Sequence, residues 1–325
     1  MKKNLRRTLL SALLTSVSIA AFAQSDYPTR PIRLIVPYAA GGSVDAFARL
    51  IGPSLEAKLK QPIVIDNVPG AGGAIGVAKA VKSPADGYTL LMGIISDVVL
   101  APLTESSATY TYEDLEAIGP LGTSGLAIVA KPSLNLHSLS ALIAYAKANP
   151  GKLSYGATGA GSLPALAMES LKLKTRTNIE YIPYASASKI ALDVMGGHLD
   201  LAVSGLPALL EPIKSGKVTA VGVMSRERDL GAPNVVSAGD TPELKGMDYF
   251  FWTGLFAPKG TQAGIVEKVN RAFAEVLKEE RVKARFADYG VKLSAPMPPT
   301  QYAAYVAKSH AEWASIVKQS GLKKN

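Results

Sequence analysis

Short apolar runs alternate with amphipathic runs along most of the chain. An apolar run at residues 32–36 is typical of a buried parallel strand, and the amphipathic run at residues 44–59 is typical of a helix. Further strands are predicted at residues 62–66, 89–94, 126–130, 153–157, 179–184, 199–204 and 218–224, and residues 115–121 are expected to be extended. Helices are predicted at residues 75–81, 138–148, 188–195, 207–214, 265–278 and 300–318, and another ends near residue 174. This alternation predicts an α/β fold with parallel sheets and helices on both faces.

The N-terminus has the pattern of an export signal. Four basic residues within positions 2–7 precede an apolar stretch at residues 8–20, and Ala21-Phe22-Ala23 supplies small residues at a cleavage site. We therefore predict a signal peptide over residues 1–23. A membrane anchor is the alternative, but the stretch is short for a bilayer span. The chain has no cysteine, which excludes disulfides, thiolate metal sites and a lipidated N-terminal cysteine.

Length and net charge limit the number of domains and the classes of partner that the chain can have. About 300 residues remain after the signal peptide, a length typical of two domains. Removing the four charges of the leader from the formal +9 leaves +5, and the basic residues are scattered. Nucleic-acid binding would need a basic stripe with aromatic residues, so no nucleic-acid partner is expected. A mild positive surplus favours an anionic ligand.

Two glycine-rich loops each follow a predicted strand and open a predicted helix. The first loop, residues 38–43, places Gly41 and Gly42 before a helix that Ser43 could cap. Free N–H groups and the helix dipole at such a place favour an anion. The second loop, residues 158–162, repeats this arrangement in the other half. Ligands of open α/β sheets lie at the carboxyl ends of strands, so two such loops across a cleft would hold a small anion. The predicted ligand-binding residues in and beside the loops are Tyr38, Ala40, Gly41, Gly42, Ser43, Asp45, Thr158, Gly159, Ala160, Gly161 and Ser162.

Each of these candidate residues also has a structural interpretation that needs no ligand. Asp45 in the first helical turn suits the helix dipole without any ligand, and Tyr38 could pack in the core. Either loop could be an ordinary turn before a helix. Ser96 and Asp97 follow a predicted strand, whereas Tyr184 and Ser204 end strands. All four are further candidates for the cleft, with core or surface roles as the alternative. The glycines at positions 70, 72 and 73 are expected to serve a turn.

Catalytic motifs are weak. Residues 186–189 match a Ser-x-x-Lys pattern, but its usual Ser-Asp-Asn and Lys-Thr-Gly partners are missing from the sequence. The three histidines, His137, His198 and His310, show no metal-binding spacing. We therefore predict no enzyme, metal or cofactor, and keep a secreted serine hydrolase as an alternative.

Six segments in order resemble the substrate-binding receptors of tripartite tricarboxylate transporters, the Bug-type receptor family. They are YPTRPIRLIVP at residues 27–37, GGSVD at 41–45 with Arg49, NVPGAGG at 67–73, PADGYTL at 84–90, YGATGAGS at 155–162 and WTGLFAPKGT at 252–261. The resemblance implies a type II periplasmic-binding-protein fold, with two domains of mainly parallel sheet flanked by helices and two crossovers. Domain 1 would comprise residues 24–123 plus 247–325, and domain 2 residues 124–246.

The resemblance also implies a function. The chain is expected to be a monomeric periplasmic receptor that captures a small carboxylate, either a dicarboxylate or an aromatic carboxylate, by hinge closure. Its partners would be the membrane subunits of a tripartite tricarboxylate transporter, and a membrane sensor is the alternative partner. Pro183-Tyr184-Ala185-Ser186 departs from a family pattern with Lys-Gly after Pro-Tyr, so the ligand's identity does not transfer from a relative.

Overall fold

The computed structural model describes residues 27–184 and 187–320, so the predicted signal peptide and Ser186 lie outside the described residues. The strands are β1 Ile32–Val36, β2 Ile63–Asn67, β3 Thr89–Ile94, β4 Leu115–Ala130, β5 Ser154–Thr158, β6 Glu180–Tyr184, β7 Leu201–Gly205, β8 Thr219–Val223, β9 Phe250–Pro258 and β10 Val291–Leu293. The helices are α1 Ser43–Leu59, α2 Ala74–Val81, α3 Ala101–Thr104, α4 Leu139–Ala148, α5 Leu163–Thr175, α6 Ala187–Met195, α7 Leu206–Lys214, α8 Ala263–Lys278, α9 Glu280–Asp288 and α10 Pro299–Ser320.

The strands form two sheet regions that share β4. The strand order is β2-β1-β3-β9-β4-β7-β5-β6, and β8 and β10 also pair with β4. Residues 115–125 of β4 pair with β9 and β10, whereas residues 126–130 pair with β7 and β8. β4 therefore carries the chain from the first sheet region to the second, and β9 returns it.

The expected α/β fold of the type II periplasmic-binding-protein kind is confirmed, with a mixed sheet. β1 is parallel to β2 and β3, and β5 is parallel to β6 and β7. The two connecting strands run against their neighbours, since β9 is antiparallel to β3 and β4, and β4 is antiparallel to β7 and β8. The antiparallel pairs arise because a strand that returns between two halves enters the first sheet from the opposite direction.

The sequence divided β4 into two segments that the structure joins. The glycines between residues 119 and 125 interrupt the apolar pattern, but the backbone stays extended there. At Gly122 a Cβ atom would lie 2.5 Å from the carbonyl oxygen of Lys292 on β10, so the close strand contact needs glycine. β9, β10, α3 and α9 were not predicted as elements. The 9-residue, aromatic-rich run of β9 lacks the alternation of a half-buried strand.

The core follows the predicted periodicity. In α1 the residues Phe47, Ile51 and Leu55, spaced by four, are all buried against the sheet together with Leu34 of β1. Complete burial of each such side chain contributes about 1.5–3 kcal/mol. The packing of α1 against β1 fixes the end of β1 and the start of α1, where the first loop lies.

Within the described residues, no helix has the length and apolar character needed to cross a membrane.

Candidate functional site

The first loop joins the carboxyl end of β1 to an uncapped helix start. Gly42 is the N-cap of α1 with φ −79° and ψ 169°, and no side chain caps the helix. The prediction that Ser43 caps the helix is therefore wrong, because Ser43 is already its first residue. The first intrahelical bond runs from Ala46 N–H to the Gly42 carbonyl oxygen. The N–H groups of Ser43, Val44 and Asp45 accordingly lack an intrahelical acceptor, and Ser43 is exposed.

Two of the amides predicted to face a ligand are bonded within the loop. Gly41 N–H donates to Asp45 Oδ2 at 2.8 Å, and Gly42 N–H donates to the Ala39 carbonyl oxygen at 3.3 Å. Gly41 has φ +83°, a left-handed conformation that favours glycine. Ala40, Gly41 and Gly42 are exposed, so the loop is accessible while its own hydrogen bonds hold its shape.

Asp45 holds this loop in place. It is 2% exposed, and its carboxylate accepts hydrogen bonds from Gly41 N–H, from Arg49 Nε at 2.9 Å and from Asn67 Nδ2 at 3.0 Å. Asn67 Nδ2 also donates to the Tyr38 carbonyl oxygen at 3.0 Å. Burial raises the pKa of Asp45, but the hydrogen bonds from Arg49, Gly41 and Asn67 outweigh it and keep the pKa below its usual value. Of the two roles left open for Asp45, the geometry favours bracing of the loop.

Tyr38, the first residue of the first loop, contacts the glycine turn of residues 67–73. Its hydroxyl donates to the Gly72 carbonyl oxygen at 3.3 Å, and its ring is half-buried. Burial raises the pKa of Tyr38 well above its usual value, and Asp97 adds to the shift. The expected turn role of Gly70, Gly72 and Gly73 agrees with their φ values of 133°, 63° and 103°. A Cβ atom on Gly73 would lie 3.2 Å from Tyr38 Oη, so the turn packs directly on this tyrosine.

The second loop resembles the first, but a side chain caps its helix. Ser162 is the N-cap of α5, and its Oγ accepts from Ala165 N–H at 3.5 Å. Ser162 N–H donates to the Gly159 carbonyl oxygen at 3.2 Å. Gly159 is exposed with φ +72°, whereas Thr158 and Ala160 are half-buried. The unbonded N–H groups are fewer here than at α1, because Pro164 has none and Ala165 is capped.

Gly161 of the second loop touches the segment after β3. A Cβ atom on Gly161 would lie 2.0 Å from Thr104 Oγ1, and Gly161 is buried. Thr104 Oγ1 donates to the Leu100 carbonyl oxygen at 2.9 Å and approaches the Gly161 carbonyl oxygen at 3.5 Å. The first sheet region therefore supplies α3 as a direct neighbour of the second loop. Sequence reasoning missed Thr104, since 57 residues separate it from Gly161 and no motif marks it.

The other three predicted ligand-binding residues, Tyr184, Ser204 and Ser96, differ in their burial and in their hydrogen-bond partners. Tyr184 donates its hydroxyl to Asp193 Oδ2 on α6 at 2.8 Å, so its polar end is engaged within its own half. Ser204 is only 6% exposed within β7. Ser96 is half-buried at the start of a π-helical turn, Ser96–Leu100. These positions favour structural roles for Tyr184 and Ser204, and Ser96 stays a predicted ligand contact.

Among residues 27–184 and 187–320, no cluster of three acidic or histidine side chains could hold a metal ion.

Comparison with known proteins identifies the family. The family model described as the tripartite tricarboxylate transporter family receptor matches residues 47–322. The chain belongs to this receptor family. Among curated relatives, BugT of Bordetella pertussis is 35% identical over 329 residues, which cover 98% of this receptor and 99% of BugT. The resemblance predicted from the six sequence segments is thereby confirmed.

Solved structures of similar proteins share the fold over almost the whole receptor. The periplasmic binding protein BugD is 28% identical with a TM-score of 0.83, over 92% of this chain and 100% of BugD. R. palustris Rpa4515, solved with adipate, is 26% identical with a TM-score of 0.82, over 91% and 99% of the two chains. MatC from Rhodopseudomonas palustris, solved with bound malate, is 27% identical with a TM-score of 0.81, over 90% and 100%.

Proposed function

We propose that the protein is a periplasmic receptor that binds a small carboxylate between its two glycine loops and delivers it unchanged to the membrane subunits of a tripartite tricarboxylate transporter. The uncapped start of α1 carries this proposal. It offers backbone N–H groups that lack an intrahelical acceptor, the first of them on the exposed Ser43, at the positive end of a 17-residue helix and at the carboxyl end of a parallel strand. The hydrogen bonds of Asp45 hold this site in shape before any ligand binds, which reduces the ordering cost of binding.

The class of ligand is argued from the similar structures. Rpa4515 was solved with adipate and MatC with malate, and both are small dicarboxylates. A dicarboxylate has two anionic ends, so one end can bind at the first loop while the other reaches the second loop near Gly159. An aromatic monocarboxylate such as benzoate has only one anionic end, so it could bind through its charge at only one of the two loops. We therefore favour a dicarboxylate over an aromatic acid.

Hinge closure is the proposed mechanism. The two domains would comprise residues 24–123 plus 247–325 and residues 124–246, joined where β4 and β9 pass between the sheet regions. A ligand that contacts both loops binds the closed form better than the open form and shifts the population towards it. The predicted signal peptide would export the receptor, and the receptor would act as a monomer.

A calorimetric titration tests this function. The mature receptor is titrated with malate, adipate and benzoate in separate experiments, and at least one dicarboxylate is expected to bind with about micromolar affinity, which corresponds to about −8 kcal/mol. The acid should be recovered chemically unchanged, as a receptor requires. Absence of binding by both dicarboxylates, or turnover of an added ester, would contradict the proposal. Small-angle scattering at a saturating concentration of the acid that binds should show contraction, and an unchanged radius of gyration would exclude hinge closure.

A further inference from the structure

Asp97 is a buried acid close to the first loop. It follows β3 in the turn that starts at Ser96, and it is 0% exposed. Its Oδ1 accepts a hydrogen bond from Ile94 N–H at 2.9 Å. Its Oδ2 has no hydrogen-bond partner in the described part of the chain. A buried carboxylate oxygen without a donor is costly, so the state of this carboxyl group needs a physical explanation.

Tyr302 on α10 presents a second unpartnered polar group in the same region. Its side chain is fully buried, and its hydroxyl likewise has no hydrogen-bond partner among the described residues. Gly93 of β3 and Gly254 of β9 are directly opposite each other in the sheet. A Cβ atom on Gly254 would lie 2.0 Å from Tyr302 Oη, and one on Gly93 would lie 3.3 Å from Asp97 Oδ1. Opposite residues of an antiparallel pair face the same side of the sheet. The Asp97 carboxyl group and the Tyr302 hydroxyl therefore lie next to each other on one face of the sheet.

The surroundings of Asp97 contain phenols rather than cations. Tyr38 approaches from the first loop, Tyr302 from α10 and Tyr110 from the segment before β4, and each interacts electrostatically with Asp97. The Tyr110 hydroxyl has only one hydrogen, and it donates this hydrogen to the backbone carbonyl oxygen of Asp97 at 2.6 Å. None of the ion pairs within residues 27–184 and 187–320 involves Asp97. An ionised carboxylate buried without a cation is far less favourable than the neutral acid.

The neutral acid also fits the geometry better than the anion. A protonated Asp97 gains an O–H donor, for which the unpartnered Tyr302 hydroxyl oxygen on the same face of the sheet is a candidate acceptor, and its carbonyl oxygen still accepts from Ile94 N–H. Consistent with this, burial raises the pKa of Asp97 to about 8, against the opposing effect of the hydrogen bond from Ile94 N–H. The proton comes from solvent when the chain folds.

Asp97 also packs against the glycine turn that contacts Tyr38, the first residue of the first loop. A Cβ atom on Gly73 would lie 2.8 Å from Asp97 Cβ and 3.2 Å from Tyr38 Oη, so the acid, the glycine turn and the first loop pack together. We propose that Asp97 is a proton-binding residue beside the glycine turn, that its carboxyl group is neutral while the receptor captures a carboxylate, and that loss of this proton weakens capture. This inference rests on the proposed function for its last part, because a negative charge at Asp97 repels an anion bound at the start of α1.

Stability without ligand tests whether Asp97 holds a proton. The folded state binds this proton at higher pH than the unfolded state, in which the pKa is near the ordinary 3.8. The free energy of unfolding should therefore fall as the pH rises from about 4 to about 8 and level off above that. Asp97→Asn should remove this slope, whereas Asp288→Asn should keep it, since Asp288 is 66% exposed beside Arg285. The same slope in wild type and in Asp97→Asn would overturn the proposal. Should Asp97→Asn fail to fold, a wild type whose stability does not fall across this range would overturn it equally.

Affinity for malate or adipate tests the coupling to the site. Between about pH 6 and about pH 9 the dissociation constant of the wild type should rise by about tenfold, and that of Asp97→Asn should stay nearly constant. Equal pH profiles in the two proteins would overturn the effect on capture. If neither acid binds at any pH, the proposed dicarboxylate ligand is wrong, and the stability measurement still decides whether Asp97 carries a proton.

Discussion

The carboxylate of Asp45 accepts a hydrogen bond from the backbone N–H of Gly41 at 2.8 Å, so the first turn of α1 fixes the loop that precedes it. Gly41 adopts a left-handed φ of 83° in this loop, a conformation that favours glycine. Arg49 and Asn67 complete the environment of the same carboxylate. One buried acid therefore links β1, β2 and α1 at the place where an anion is proposed to bind.

Asp45→Asn should destabilise the receptor. The variant replaces an acceptor of charge-assisted hydrogen bonds by a neutral amide, so we expect a loss of about 1–3 kcal/mol in the free energy of unfolding at neutral pH. Urea denaturation measures this change. Asp66→Asn is the control, because Asp66 is a partly exposed partner of Lys79 and such pairs contribute at most about 1 kcal/mol. Equal losses in the two variants would contradict the bracing role.

The acid range gives a second test of Asp45. Its folded pKa lies below the ordinary 3.8, so its contribution to stability is complete above about pH 4 and is lost as the pH falls through the folded pKa. The wild type should lose stability on acidification below about pH 4 more steeply than Asp45→Asn. Thermal unfolding as a function of pH measures both slopes, and parallel curves would exclude the interpretation.

Gly42→Val should weaken carboxylate binding at least about tenfold, or about 1.4 kcal/mol, without unfolding the receptor. The φ of Gly42 is −79°, which a valine tolerates, and a Cβ atom there would be 3.4 Å from the Ala39 carbonyl oxygen. The branched side chain would cover the N–H groups at the start of α1. Calorimetry with malate and adipate measures the effect. The matched control is Gly264→Val near the start of α8, where a Cβ atom meets nothing within 4 Å. An unchanged affinity in Gly42→Val would argue against the site.

Gly161→Ala should disrupt the contact between the second loop and α3. The added Cβ atom would lie 2.0 Å from Thr104 Oγ1 and 2.3 Å from Thr104 Cβ, so we expect a loss of about 1–3 kcal/mol in stability. Thr104→Ala in the Gly161→Ala background should recover part of the loss, because it removes the hydroxyl but keeps Cβ. A double-mutant cycle by chemical denaturation measures this coupling. Additive effects would show that the two residues do not meet in solution.

Local sequence was sufficient to locate the first loop. The apolar run of β1, the glycine pair and the four-residue spacing of Phe47, Ile51 and Leu55 are all short-range signals, and they place the strand, the loop and the helix correctly. Which hydrogen bonds the loop makes could not be predicted, because Asp45 suits both a helix dipole and a ligand. The choice depends on Asn67, which lies 22 residues further along the chain.

Side-chain and strand contacts that depend on the folded chain could not be predicted from the hydrophobic pattern of the sequence. The glycines at positions 119, 122 and 125 are typical of a break between strands, whereas in the structure β4 continues past Gly122, where β10 approaches closely. Even the bond from the Tyr184 hydroxyl to Asp193 on α6, 9 residues further along the chain, was not predicted, since Tyr184 was expected at the ligand site only because it ends a strand. Asp97 is polar in sequence and fully buried in the fold, since α10 covers it from more than 200 positions away in the chain.

Asp229→Ala should loosen β4 where it passes between the two sheet regions. Asp229 Oδ2 accepts from Gly125 N–H at 2.8 Å, and its Oδ1 accepts from Gly231 N–H at 2.8 Å. Gly125 is the last residue of β4 that pairs with β9, and Leu126 is the first that pairs with β7. Without the carboxylate, the Gly125 amide loses its acceptor, so hydrogen exchange at residues 121–130 should become faster and stability should fall by about 1–2 kcal/mol. Asp288→Ala, which removes an exposed carboxylate from α9, should leave exchange in this segment unchanged. If both variants exchange at the wild-type rate, Asp229 does not hold β4 between the two sheet regions, and the contacts that do so must be sought in the β4–β9 pairing itself.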